Sequence, residues 1–186
     1  MDQSVYKKLA RRLDAIPNGF PETESGVELK LLAKIYSLEE AALASEMRLT
    51  PESAEQIANR TGQDSTEATA LLEDMVRKGL IDAIEEGEQL KFCLMPFILG
   101  IFEEQLDRLD EEIARLFEEY YPALAEALNK SPSFHKVIPV EKSIPVEVQI
   151  FPYEQASAVL NKAKSFGVRR CICRVQKALE IGRAHV

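Results

Sequence analysis

Apolar side chains recur at helical spacing along most of the first 130 residues, which predicts a largely helical chain. Tyr6, Leu9, Leu13 and Ile16 line one face of a helix over 2–16, and Lys7, Lys8, Arg11 and Arg12 crowd the rest of its surface. Pro17-Asn18-Gly19-Phe20-Pro21 then breaks the chain. Val27, Leu31, Leu32 and Ile35 predict a second helix over 27–36. Ser37 opens a third, with Glu40 three residues on as its capping-box partner. Thr50-Pro51 predicts the start of a fourth, a cap followed by proline at the first helical position, running to Arg60 and stopping at Thr61-Gly62. Asp64 starts a fifth, with Glu67 as its capping partner. Its core face is Ala68, Leu71, Leu72, Met75 and Val76, and Gly79 ends it.

The period then changes. Leu80–Ile84 and Leu90–Leu94 read as two strands, and Glu85-Glu86-Gly87-Glu88-Gln89 as the hairpin loop between them. Helix, short turn, helix and hairpin over 38–94 resemble the winged helix-turn-helix of bacterial and archaeal transcription regulators. The Arg60–Gln63 link and Lys78-Gly79-Leu80-Ile81 carry that resemblance. Residues 1–94 are thus expected to form one helical region around this core.

Residues 97–121 predict one long helix, continued or kinked at Pro122 and reaching about residue 130. Phe102, Leu106, Leu109, Ile113, Leu116 and Tyr120 form a heptad seam along it. Glu104 with Arg108, and Glu111 with Arg115, are expected as supporting i,i+4 pairs. The seam is expected to pack either against the winged helix or against its copy in a homodimer. Ser131-Pro132-Ser133 reads as a linker, and the composition shifts after it. Within 133–180, His135–Val140 and Val146–Phe151 read as strands, and Tyr153–Ser165 as a helix closed by Gly167. His135 reads as an ordinary surface residue. The fold class expected is mainly α with small β: a winged helix-turn-helix, a long helix, then a small α+β segment.

That segment leads into Arg169-Arg170-Cys171-Ile172-Cys173-Arg174, which holds two of the three cysteines. Thiolates are soft ligands suited to iron–sulfur clusters, zinc and copper(I). Neighbouring arginines lower a thiol's pKa and would offset a cluster's negative charge. In an extended segment Cys171 and Cys173 would point to one face, which suits two ligands of one centre and equally two packed thiols. A [4Fe-4S] cluster takes four ligands. The third cysteine, Cys93, lies in the apolar run Phe92-Cys93-Leu94 and reads as core. Ile181–Val186 matches the translation of a common short-read sequencing adapter, with Glu180 sharing a codon. These residues are expected to be non-native read-through and are set aside; the alternative is an ordinary frayed terminus.

Composition narrows the classes. The 186 residues are 46% hydrophobic, enough for a core, and no apolar run approaches the roughly 18 residues of a membrane span. The polar N-terminus opens no secretory signal, so the cytoplasm is the expected location. The formal net charge of −8 works against a generic nucleic-acid binder. No catalytic constellation is visible, so no enzyme activity is argued.

Four groups of residues add a resemblance: Ile16–Pro21 with Thr23-Glu24-Ser25-Gly26, then Pro139-Val140, Pro152-Tyr153-Glu154-Gln155, and Cys171-Ile172-Cys173-Arg174. With them the chain resembles a family of iron–sulfur proteins of anaerobic prokaryotes, in which a winged-helix-like region precedes a [4Fe-4S]-binding region. The resemblance implies that Cys171 and Cys173 are cluster ligands. It also implies that further cysteines follow the motif, and here they are absent. The functions expected are a redox or electron-transfer protein with a redox protein partner, a winged-helix regulator sensing redox state, or a dimerisation and docking module. DNA binding is disfavoured by charge. A stable cluster on this chain alone is not expected.

Overall fold

A computed structural model of the chain describes residues 3–87, 89–129, 157–158 and 160–181. Among these the protein is mainly helical with one small antiparallel sheet. The strands read from 135–140 and 146–151 lie outside the described residues, as does the start of the helix read from Tyr153. From Asn161 to Arg170 the chain is turn and coil instead of helix, with Leu160, Phe166 and Val168 exposed. No described helix is long and apolar enough to cross a membrane.

Helix α1 (Gln3–Asp14) buries the expected face: Tyr6, Leu9 and Leu13, with Ile16 just beyond. Helix α2 (Val27–Ile35) buries both its apolar residues and the charged Glu28. Helix α3 (Leu38–Glu46) starts at Ser37 with the expected reciprocal capping box to Glu40. Two tyrosine hydroxyls tie these helices together. Tyr6 donates to the Tyr36 carbonyl at 3.0 Å, and Tyr36 donates to Leu80 O at 2.7 Å.

The fourth helix does not start at Thr50-Pro51. Glu52–Ser53 forms a short strand β1, and helix α4 (Ala54–Thr61) is capped by Ser53, whose side chain and Gln56 make a reciprocal capping box. Two satisfied N–H groups outweigh the mere tolerance of proline at a helix start. Gly62, at φ 70°, turns the chain toward helix α5 (Ser65–Arg77), which Asp64 caps by accepting from the Thr66 and Glu67 amides. Strands β2 (Asp82–Glu86) and β3 (Gln89–Cys93) form the expected hairpin, shifted by two residues at its first strand. Strand β1 pairs with β3 as well, so the sheet order is β1-β3-β2.

The single helix expected from 97 to 121 is broken. Residues Phe97–Ile101 form a wide turn in which Ile98 is extended and Leu99 takes φ 62°. One tight turn follows at Glu103–Gln105, and Asp110 then caps a new helix, α6 (Glu111–Leu128), which runs through Pro122. Two side chains hold the break. Asn18 donates to Ile98 O at 2.8 Å, and the fully buried Gln105 amide donates to Lys78 O, Gly79 O and Ile101 O. The expected Glu104–Arg108 pair is lost with the helix, and Arg108 donates to Ile35 O instead. Arg115 pairs with Glu119 instead of Glu111. Phe102, Ile113, Leu116 and Tyr120 of the heptad seam are buried inside the chain, around a cluster of Phe20, Phe97, Phe102, Phe117 and Tyr120 rings. A homodimer would therefore need a different surface.

Candidate functional site

Cys171 and Cys173 do not lie on a strand. Helix α7 (Ile172–Ile181) begins between them, so the face-sharing argument from strand period fails. What brings the thiols together is the helix start. Cys171 sits at the cap position, and its carbonyl accepts from the Arg174 and Val175 amides at 3.1 Å. Free N–H groups at a helix N-terminus favour an anion there. The backbone N–H groups of Arg174 and Cys173, with help from the Cys173 side chain and the Arg174 charge, lower the Cys171 pKa. Burial pushes the Cys173 thiol up, and the neighbouring Cys171 adds to it. The two thiols are thus shifted in opposite directions, Cys171 toward the thiolate and Cys173 toward the thiol, and both are exposed.

The three arginines divide. Arg169 is committed to Glu104, reaching both carboxylate oxygens at 2.8 and 3.2 Å, and also donates to Glu103 O. It fastens the segment before the cysteines to the turn at Glu103–Gln105. Arg170 and Arg174 line a shallow depression with Cys171, Val175, Ala178 and Leu179. The helix itself is anchored to α6. Ile172 is buried in the main core, and Gln176 and Lys177 both reach the Glu118 carboxylate. The Arg169–Glu104 and Gln176–Glu118 contacts join residues about sixty positions apart, and no local pattern announces them.

Cys93 is buried on β3, as expected, and burial raises its pKa. Among the described residues no cluster of three His, Cys, Asp or Glu side chains is placed to hold a metal ion. The thiols at residues 171–173 number two, where a four-thiolate cluster takes four. Two adjacent thiols, beside Arg170 and Arg174 that make no ion pair among the described residues, have the soft donors and positive charge that suit such a group. Compared with known proteins, the chain matches no family model, no characterised protein and no solved structure.

Proposed function

We propose that this chain is part of an iron–sulfur protein in which Cys171 and Cys173 supply two of the cluster's four thiolate ligands. The observation that carries the reading is the paired, exposed thiols at the N-terminus of α7, one of them held toward the thiolate by backbone N–H groups. The chain has no fourth cysteine and its third is buried, so the remaining ligands come from outside it. The cluster, when bound, would supply one-electron chemistry toward a redox protein partner. The protein's own part is to hold two ligands in register on a helix docked to α6, and to place Arg170 and Arg174 against negative charge. Anaerobic reconstitution of the chain alone tests the ligand count. We expect no stable [4Fe-4S] cluster without added thiol. About four irons per chain held tightly would overturn the two-ligand reading.

We further infer that residues 38–94 form a winged helix-turn-helix used for docking or dimerisation and not for gripping DNA. Support for the fold comes from the order α3, α4, α5, hairpin and from β1 completing the sheet. Support for the role comes from charge. Residues 50–94 carry ten acidic and four basic side chains, a net of −6. All four cations are already paired: Arg60 with Glu52, Arg77 with Asp74, Lys78 with Glu40 and Asp74, and Lys91 with Glu86. Affinity for duplex DNA rests on cations that neutralise phosphates, and these are spent. Two of the four cations on the basic face of α1 are engaged as well. Lys8 pairs with Glu46, and Arg12 donates to Met47 O.

A further inference from the structure

The two remaining cations of α1, Lys7 and Arg11, stand one turn apart and make no ion pair among the described residues. They line a cleft of about 70 Å³ between α1 and the chain that enters α2. That is room for a few water molecules or a ligand of about glycine size, and no more. The floor is Ala10, Phe20 and Leu29, and the remaining walls are Asp14, Glu22 and Glu28.

Glu28 is the unusual member. It is 1% exposed, yet its hydrogen-bonding partner is a neutral hydroxyl, that of Thr23. The first turn of α2 eases its charge. Removing a carboxylate from water is nevertheless costly unless a cation completes its shell. Asp14 accepts from the Phe20 amide at 2.9 Å, which fixes its position below the cleft. The Phe20 ring, packed 4.9 Å from the fully buried Tyr120 ring, is the aromatic part of the cleft floor. Carboxylates beside an aromatic face suit an ammonium group. Lys7 and Arg11 on the α1 wall suit a carboxylate.

We propose that this cleft binds a small free α-amino acid. The ligand's ammonium sits against Glu28, Asp14 and the Phe20 ring, and its carboxylate is held by Lys7 and Arg11. A mixed cleft of this kind discriminates by requiring both ends. A simple amine meets the two cations unpaired, and a simple acid meets the buried carboxylate.

Calorimetric titration of the full chain with glycine, methylamine and acetate tests this. Glycine should bind saturably, and methylamine and acetate at least about tenfold more weakly. Glu28→Gln should weaken glycine binding about tenfold or more. Because Glu28 is buried, the exposed pair Lys7→Ala with Arg11→Ala provides a second variant that leaves the core alone, and it should weaken binding to the same degree. The proposal is overturned if glycine does not bind up to about 10 mM, if methylamine binds as tightly as glycine, or if the double variant binds glycine unchanged.

Discussion

At the level of single residues, the cap position decides what Cys171 is. Its lowered pKa and the raised pKa of Cys173 place the pair on opposite sides of the ordinary thiol value. A lowered pKa enlarges the thiolate fraction at neutral pH, and the thiolate is the nucleophile. Alkylation followed by mass spectrometry should therefore modify Cys171 first. Its rate should reach a plateau at lower pH than that of Cys173, and Cys93 should react only on unfolding. Equal pH midpoints for Cys171 and Cys173 would remove the helix-start argument. Gly79 is a second such position. It takes φ 66°, and an added Cβ would lie 2.3 Å from the Glu104 Cβ. Gly79→Ala should destabilise the fold by about 2 kcal/mol or more in urea unfolding. It should also loosen the turn that carries Glu103 and Glu104, the partners of Arg169.

Among elements, the N-terminal half was legible because its signals are local. Ser37 with Glu40, Asp64 before its helix, and Gly79 after it mark their boundaries by side-chain chemistry that acts within a few residues. Ser53 with Gln56 carried the same signal and was masked by the neighbouring Thr50-Pro51. The seam from Phe102 to Tyr120 misled because periodicity reports which residues are buried, not whether the backbone between them is continuous. Its break depends on Asn18 and Gln105 bonding to backbone groups distant in sequence. Gly100 and Asp110 were the only local hints. At the cysteine motif the residue types pointed to ligation, while the helix that joins the two thiols rests on Ile172 and Glu118, which no spacing rule connects.

The junction of α3 with α5 permits an energetic test. Glu40 is buried, which by itself raises its pKa, but Lys78 and the Ser37 cap outweigh that and leave it lowered. Its folded pKa lies below the unfolded value of 4.5, so its contribution is full above that pH and is lost as pH falls through the folded value. Lys78 is raised, so its share persists through neutral pH and is lost only as pH rises past its folded value. Lys78→Met should cost about 1–2 kcal/mol near neutral pH, discounted because the ammonium is partly in water. The difference from wild type should shrink as pH falls and Glu40 becomes neutral. A difference that stays constant into acid would mean that Lys78 stabilises by packing alone.

The whole molecule joins a helical core that carries an acidic hairpin to a helix that presents two thiols. The acidic domain should show no measurable affinity for random duplex DNA up to about 10 µM at low salt. Submicromolar binding that weakens steeply with salt, and is lost when Arg77 and Lys78 become alanine, would restore the regulator reading. The central claim, that Cys171 and Cys173 are cluster ligands, is tested most directly by anaerobic reconstitution with iron, sulfide and a small thiol able to complete the ligand set. Iron–thiolate charge-transfer absorption and bound iron are then measured on wild type, Cys93→Ser, Cys171→Ser and Cys173→Ser. The account predicts a cluster in wild type and Cys93→Ser that is lost in each of the other two variants. A cluster that survives both, or no bound iron in any of the four proteins, would contradict it.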